Sequence, residues 1–106
     1  SLYQNSARFS EAILAIGSNR SAIAVAAAAG RVTSVNDFDS GTNGLPAAQS
    51  QAASTHGISV TDGVITITWR ADGTSLDSVT YTLTAQGFLP PIQWLSGGTC
   101  VAGGFC

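Results

Sequence analysis

The sequence predicts an α+β fold in which a long N-terminal helix packs on one face of an antiparallel meander sheet of about four strands. Two stretches predict these elements: residues 2–29 contain no Pro and one Gly, and residues 58–95 repeatedly alternate apolar residues with Thr. A third observation, a pair of Cys residues at the C-terminus, indicates a disulfide-closed loop over residues 96–106. With 106 residues, the chain has the length of a single domain, 1–106.

The helix predicted over residues 2–29 is amphipathic, and its Ala-rich composition favours helix. Apolar residues recur at intervals of seven, four, three, seven and four, which places them along one side. At about 1.5 Å per residue the helix is roughly 42 Å long, longer than a domain of this size is wide, so we expect residues 2–6 to project. The side that packs on the sheet or on neighbouring subunits comprises Leu2, Phe9, Ile13, Ile16, Ile23 and Ala27.

The residues at both ends of this helix indicate where it begins and where it stops. Helices commonly begin with a Ser, Thr, Asp or Asn cap and an acidic first turn, and only Ser1 precedes Leu2 here. We therefore expect the helix to continue before Leu2 in the full protein. At the other end, Gly30 and then Arg31 form a typical helix stop, because Gly accepts a left-handed conformation and a cation suits the C-terminal dipole.

Residues 31–57 are predicted to form a long connecting loop, since they lack periodicity and contain Asp-Ser-Gly, Asn-Gly and Leu-Pro turn sequences. Asp37 and Asp39 lie close together in this loop, and two interpretations are open. They are solvated turn acids, which we favour, or part of a Ca²⁺ site that would need further oxygen ligands from Asn36, Ser40 and Asn43.

The predicted sheet occupies residues 58–95. The runs 64–70 and 78–85 alternate apolar residues with Thr, which indicates strands with one apolar and one Thr-rich face. Asp-Gly pairs at 62–63 and 72–73 predict turns, and a short final strand is predicted at 92–94, after Pro90 and Pro91. Because an apolar sheet face needs cover, we expect the helix to lie on it. The predicted sheet core comprises Ile65, Ile67, Trp69, Val79, Tyr81, Leu83 and Trp94.

The only two Cys residues, Cys100 and Cys106, lie in a Gly-rich sequence at the C-terminus. Their spacing is too wide for a CxxC redox motif, and a zinc site would need more ligands than the single His of the chain supplies. The surrounding Gly residues allow the backbone to turn back tightly. We therefore predict a disulfide between them, which indicates an oxidising compartment.

Charged residues make up only 9% of the chain, which has four Arg, no Lys and a net charge of −2. Nucleic-acid binding is disfavoured, because each neutralised phosphate requires a cation. The low charge favours association with copies of the same chain, since little repulsion opposes contact. No phosphate-binding loop, GxSxG motif or metal-ligand cluster occurs, so the sequence predicts no enzyme, cofactor, metal or small-molecule substrate. His56 is predicted to be a surface or packing residue.

Several segments, taken in this order, resemble type IV pilins. They are LYQNSARFSEAI at residues 2–13, GVITITW at 63–69, LDSVTYTLTAQG at 76–87, IQW at 92–94 and the terminal Cys pair. The first segment resembles the helix that follows the membrane-embedded half in that family, and the strands resemble the C-terminal half of a pilin head. The resemblance covers most of the chain and is weak over residues 31–57, which correspond to the variable αβ-loop of the family.

The resemblance implies a structural subunit that polymerises with other pilin subunits into an extracellular pilus, used for adhesion, twitching motility or DNA uptake. It implies that an apolar helical half, absent from this chain, is processed by a prepilin peptidase and anchors the subunit in the bacterial inner membrane before the pilus machinery assembles it. Residues 2–23 would lie under the sheet, and Cys100 and Cys106 would form the D-region disulfide. Two alternatives stay open: a minor pilin acting as a DNA-uptake or adhesin module, and a type II secretion pseudopilin.

Overall fold

A helical rod and a four-stranded sheet account for most of the fold. The computed structural model describes residues 2–106, and the side chain of Leu2, together with its predicted packing role, lies outside the described part. The molecule measures 44 × 23 × 17 Å. The elements confirm the predicted α+β class, and in chain order they are α1 (Leu2–Ala15), α2 (Gly17–Ala28), a 3-10 turn (Val35–Asp37), β1 (Gly57–Thr61), β2 (Val64–Thr68), β3 (Thr80–Ala85), β4 (Trp94–Gly97) and α3 (Thr99–Gly103).

The N-terminal rod consists of two helices, α1 and α2, where the sequence predicts one helix over residues 2–29. The break falls at Ile16, where φ is −94° and ψ is 5°. The amides of Asn19 and Arg20 both donate to the Ile16 carbonyl at 3.1 Å, so the chain tightens for one turn before the helix resumes. Gly17, the first residue of α2, is the poorest helix former in the stretch, which explains why the break lies beside it.

The start of α1 is fastened to the rest of the molecule. Asn5 Nδ2 donates to Ser75 Oγ at 3.0 Å, and Ser6 Oγ donates to the Gly104 carbonyl at 2.9 Å. The prediction that residues 2–6 project is therefore wrong for Asn5 and Ser6. The reason is that the connection between β2 and β3 and the C-terminal loop both extend past the end of the sheet and meet the helix there.

Strands β1 to β4 pair in sequence order as an antiparallel meander. In the centre, Ile65 pairs with Val60 on β1 and with Leu83 on β3, and this row points toward the helices. Burying these apolar side chains between sheet and helix supplies the main driving force for folding. The buried core comprises Phe9, Ala12, Ile16, Ile23, Ala26, Ala27, Val32, Phe38, Leu45, Val60, Ile65, Ile67, Trp69, Leu76, Leu83, Ala85 and Cys100.

The opposite face of the sheet is rich in Thr, because the residues between the core positions point away from the helices. Thr66 pairs with Thr82, and Thr68 pairs with Thr80, across β2 and β3. These Thr side chains are all half-buried. The β-branched Thr side chain suits a pleated, half-buried surface, so these residues favour strand formation although none of them is charged.

The boundaries of β2 and β3 differ from the prediction. β2 ends one residue before Trp69, and β3 begins one residue after Val79. Ser78 adopts a φ of 61°, which is incompatible with a strand and delays the start of β3. The Trp69 amide still donates to the Val79 carbonyl at 2.8 Å. The connection over residues 69–79 is thus longer than a turn at 72–73, and it buries Leu76 in the core.

Strand β4 lies two residues later than the strand predicted at 92–94. Pro90 and Pro91 carry no amide hydrogen, and pairing with β3 begins only at Gln93, whose carbonyl accepts from the Gln86 amide at 2.9 Å. The strand consequently extends into residues 96–106, which the sequence assigns entirely to the C-terminal loop. The remainder of that loop contains the helical turn α3.

The connection over residues 31–56 is held down by buried side chains and by pairing with β1. Phe38 and Leu45 are buried and belong to the core. The amides and carbonyls of Gln49 and Ile58 exchange hydrogen bonds of 2.8 Å, which extends the sheet by an isolated bridge beyond β1. The periodicity of this stretch is too low to indicate these contacts, because each depends on a single residue and not on a repeated pattern.

Candidate functional site

A cluster of interacting side chains surrounds Trp69, where α1 passes the end of β2. Trp69 is 1% exposed. Its ring centroid lies 5.8 Å from that of Phe9 and 4.5 Å from that of His56. The guanidinium carbons of Arg70 and Arg8 lie 4.5 Å and 5.9 Å from the Trp69 ring centroid. Trp69 therefore joins α1, the end of the long connection and the end of β2 through ring stacking and cation–π contacts.

His56 links α1 to the sheet through both of its ring nitrogens. Its Nδ1 accepts a hydrogen bond from the Arg70 amide at 3.0 Å, so the ring proton is on Nε2. Nε2 donates to Glu11 Oε2 at 2.5 Å, and Arg70 Nη1 donates to the same oxygen at 2.8 Å. These hydrogen bonds, the one from His56 foremost, hold the pKa of Glu11 below its usual value.

Asp72 joins the cluster from the connection between β2 and β3. Its carboxylate accepts from the Thr74 hydroxyl at 2.7 Å and from Trp69 Nε1 at 3.0 Å, and it lies 3.2 Å from Arg70 Nε. The Thr74 hydroxyl in the first place, and then Trp69 and Arg70, hold the pKa of Asp72 far below its usual value. The buried indole N–H thus has the hydrogen-bond partner that it requires.

Because the pKa values of Glu11 and Asp72 are lower in the folded chain than in the unfolded chain, we expect acid to destabilise the protein. Each carboxylate contributes stability above its unfolded pKa, about 4.3 for Glu and about 3.9 for Asp, and this contribution is lost as the pH falls through the folded pKa. Thermal unfolding followed by circular dichroism should therefore show a Tm that falls below about pH 4.5.

The variant Asp72→Asn tests how much of that fall depends on the cluster. We expect a lower Tm than wild type at neutral pH and a smaller decrease in acid, since one of the responsible carboxylates is gone. Asp62→Asn removes the same charge from an exposed turn and serves as the matched control, with a pH dependence like that of wild type. An equal acid-induced decrease in Asp72→Asn and wild type would contradict the assignment.

The cluster fastens the helix to the sheet, and both ring nitrogens of His56 take part through hydrogen bonds within the protein. Within residues 2–106 there is no group of three or more His, Cys, Asp and Glu side chains that would hold a metal ion. Of the two roles predicted for His56, surface or packing, the structure gives it packing.

Asp37 and Asp39 act as turn-capping groups in the long connection. Asp37 Oδ2 accepts from the amide of Thr33 at 2.9 Å and from its hydroxyl at 3.2 Å. Asp39 Oδ1 accepts from the Asp62 amide at 2.9 Å, which ties the connection to the turn between β1 and β2. These bonds support the interpretation of the two carboxylates as turn acids, since backbone groups occupy oxygens that a Ca²⁺ ion would need.

The predicted disulfide between Cys100 and Cys106 is confirmed, with 5.4 Å between the two Cα atoms. Cys100 is fully buried. The ring of Phe105, within the closed loop, lies 6.4 Å from the ring of Phe9 on α1. The disulfide therefore holds the last residues of the chain against the helix, where an unrestrained terminus would fray.

A line of exposed apolar residues runs along the side of the helical rod that faces away from the sheet. Tyr3, Leu14 and Val25 are 86%, 79% and 55% exposed. They are spaced eleven residues apart, which is close to three turns, so they lie one above another over roughly 33 Å. We call these three residues the outer stripe. Small exposed residues lie between them on the same side, namely Ala7, Ser10, Ser18 and Ser21.

The structure places the predicted site residues in two groups. Fully or nearly buried between helix and sheet are Phe9, Ile16, Ile23, Ala27, Ile65, Ile67, Trp69 and Leu83. Half-buried at the margins of the core are Ile13, Val79, Tyr81 and Trp94. Trp94 lies on the edge strand β4 with the guanidinium carbon of Arg20 at 5.7 Å from its ring centroid. Sequence reasoning missed two features. The first is the outer stripe, which the eleven-residue spacing could have indicated. The second is the set of contacts of Glu11 with His56 and Arg70, for which the sequence contains no signal.

Residues 6–100 match the family described as pilin, a bacterial filament protein. The chain belongs to the pilin family. The match includes most of α1, all of α2, the long connection and the whole sheet of this pilin, and it confirms the resemblance drawn from the sequence segments. Comparison with curated proteins gives no match.

Membership of the pilin family implies that the protein is a structural subunit of an extracellular bacterial filament and that it polymerises with other pilin subunits. The disulfide of this pilin agrees with a location outside the cytosol. Among residues 2–106, no helix of the pilin has both the length and the apolar character required to cross a bilayer.

Proposed function

We propose that this pilin is a type IV pilin that polymerises head to tail through the outer stripe of its helical rod, forming a pilus used for adhesion, motility or DNA uptake. Before assembly, an apolar helical segment preceding Leu2 anchors it in the inner membrane, from which the pilus machinery takes it. The type IV assignment is supported by the order and spacing of the segments at residues 2–13, 63–69 and 76–94.

The observation that carries the proposal is the exposure of the outer stripe. Burying one large apolar side chain is worth about 1.5–3 kcal/mol, so three such residues in a line form a surface that gains from being covered. The sheet already occupies the opposite side of the rod, through Phe9, Ile16 and Ile23. A partner on the outer stripe must therefore come from another molecule, and the rods of neighbouring subunits match its length and uncharged surface.

Polymerisation through this surface is compatible with the charge of the chain. None of the residues on the outer stripe, and none of the small residues between its members, is charged. Copies of the rod therefore approach one another without like-charge repulsion. A contact that repeats from subunit to subunit through two different surfaces gives an open helical filament when the rotation between subunits does not close into a ring.

The test introduces a charge into the outer stripe of the full protein by Leu14→Glu. Because Leu14 is exposed, we expect the stability of the head to stay within about 0.5 kcal/mol of wild type. Burying an unpaired carboxylate between subunits is costly, so filament yield should fall at least about tenfold. Ala53→Glu, in the exposed loop before β1, is the matched control and should assemble normally. Normal filament yield from Leu14→Glu would contradict the role of the stripe.

Immunogold electron microscopy of the producing cells tests the filament assignment itself. Label along the length of thin filaments supports the proposal that this protein is the principal subunit. Label confined to tips or bases would instead indicate a minor pilin. Antigen in the cell envelope with no labelled filament would indicate a pseudopilin and would contradict the proposed function.

A further inference from the structure

Among residues 2–106, three exposed large apolar residues lie outside the helical rod, namely Leu89, Leu95 and Val101. Leu95 lies on the sheet itself, and the other two belong to two separate surfaces. The first, the loop patch, consists of residues 88–92 between β3 and β4, in which Leu89 is 71% exposed. The second, the disulfide patch, consists of residues 101–104 within the disulfide-closed loop, in which Val101 is 58% exposed. Exposed large apolar residues that stand next to other exposed apolar or small residues commonly mark contact surfaces.

The two patches lie at opposite ends of the sheet. The loop patch lies between Gln86 and Gln93, whose amide and carbonyl form the last hydrogen bond between β3 and β4 at this end. The turn between β1 and β2 is at the same end, since its Gly63 carbonyl accepts from the Ala85 amide. The disulfide patch follows the far end of β4. There Thr99 exchanges hydrogen bonds with Thr80, the first residue of β3, at 2.9 Å and 3.0 Å.

The helical rod gives the separation of the patches along its axis. Trp94, which follows the loop patch, lies against Arg20 of α2, whereas Gly104 of the disulfide patch accepts a hydrogen bond from Ser6 of α1. These two helix positions are fourteen residues apart, on the order of 21 Å. One copy of the chain therefore presents the two patches at different heights along the rod, and they do not meet within a copy.

Both patches are uncharged, unlike the surface beside one of them. No residue from 78 to 106 carries a charged side chain. The connection at the same end of the sheet as the disulfide patch contains Arg70, Asp72 and Asp77. A neutral partner surface gains from covering the disulfide patch without desolvating charges, which makes the loop patch a suitable partner and the charged connection an unsuitable one.

The two surfaces differ in the size of the side chains that they expose. In the loop patch, Phe88 and Ile92 pack against the core and fix the loop, which leaves Leu89 pointing outward. In the disulfide patch, Val101 is followed by Ala102, Gly103 and Gly104, all exposed, so that the surface is shallow. The disulfide and the hydrogen bond from Ser6 hold that surface in place, which reduces the entropy lost on contact.

We propose that the loop patch of one copy contacts the disulfide patch of the next copy along the filament, as an axial contact between heads. This inference rests on the proposed function, because it requires copies stacked along a common axis. An open polymer needs two different complementary surfaces on each subunit, and two uncharged apolar patches at opposite ends of one sheet meet that requirement. In this contact Leu89 of one copy packs on the surface around Val101 of the next copy.

Photo-crosslinking within assembled filaments tests the contact. A photoreactive p-benzoylphenylalanine replaces Leu89 in the full protein, filaments are irradiated, and the linked peptides are identified by mass spectrometry. We expect links from position 89 to residues 99–104. Filaments formed from a mixture of isotopically light and heavy subunits should give mixed links, which shows that the two peptides come from different copies.

The same photoreactive residue at Leu95 provides the matched control. Leu95 is 62% exposed and belongs to the same uncharged segment, but it lies on the middle of β4 on the Thr-rich face. Position 95 should give no links to residues 99–104. A second variant, Leu89→Ser, should weaken subunit association roughly tenfold because an apolar contact is lost, with head stability unchanged.

The outcomes separate this inference from the proposed function. The axial contact would be overturned if filaments contain the protein but position 89 links elsewhere or links nowhere. It would also be overturned if position 89 gives no more links to residues 99–104 than position 95 does. Either result would leave the filament assignment intact. Absence of the protein from any filament would overturn both. Links from position 89 to residues 99–104 between light and heavy subunits would establish the contact.

Discussion

Trp69→Ala is expected to lower the free energy of unfolding of this pilin by about 3–5 kcal/mol. Trp69 is almost completely buried, and its removal leaves a cavity beside the rings of Phe9 and His56. The substitution also removes one of the hydrogen-bond donors to Asp72, the indole N–H, and the ring on which Arg70 lies. Equilibrium denaturation followed by far-UV circular dichroism measures the effect.

Trp94→Ala is the matched control, because it removes the same side chain from a half-buried position on the edge strand. The surrounding protein is freer to relax there, and water reaches the site, so we expect less than half of the loss seen for Trp69→Ala. Trp69→Phe provides a variant that folds more readily. It keeps most of the apolar volume and loses the indole N–H, for which we expect about 1 kcal/mol. Equal losses for the two Trp→Ala variants would contradict a central role for Trp69.

The fold class follows from local patterns that the tertiary structure leaves intact. The alternation at 64–69 predicts that Ile65, Ile67 and Trp69 share a face, and all three are buried. The Asp-Gly pair at 62–63 predicts a tight turn, and both residues adopt positive φ, at 49° and 79°. Such predictions succeed because a strand or a two-residue turn is determined by residues within a few positions of each other.

The exact limits of the elements depend on single residues whose effect is not periodic. The helix is interrupted beside Gly17, although the apolar spacing continues across this residue. The sequence pattern did not indicate the break, because one residue of low helix propensity has little weight in a helix propensity summed over many residues. Ser78 adopts a left-handed conformation and shortens β3, although Val79 continues the alternation. Strand β4 starts late because Pro90 and Pro91 provide no amide for pairing.

The side-chain cluster was not predictable, because its members come together only in the folded chain. Glu11 lies 45 residues before His56 and 59 residues before Arg70. No local pattern relates such positions, and a single sequence contains no other signal for them. The outer stripe is a different case: its eleven-residue spacing is visible in the sequence, but it competes with a stronger stripe of seven- and four-residue spacings that describes the buried side.

Removal of the disulfide by Cys106→Ser is expected to lower the free energy of unfolding by about 2–5 kcal/mol. The chain-entropy treatment gives roughly 2–2.5 kcal/mol for a closed loop of seven residues. We expect a further loss because residues 101–106 are then free to move away from the helix. The packing of the Phe105 ring on Phe9 and the hydrogen bond between Ser6 and Gly104 would be lost with them. Cys106 is the better position for the substitution, since it is exposed whereas Cys100 is fully buried.

Thermal unfolding with and without a reducing agent isolates the contribution of the bridge. Wild type under reducing conditions should unfold at the Tm of Cys106→Ser, and the Tm of Cys106→Ser should not respond to the reductant. Val101→Ala, an exposed residue inside the same loop, leaves the bridge intact and should stay within about 0.5 kcal/mol of wild type. If Cys106→Ser unfolds like wild type under non-reducing conditions, the disulfide does not stabilise the head. Because the bridge also holds the disulfide patch in place, a stable Cys106→Ser head that assembles poorly would instead assign the bridge to the contact between subunits.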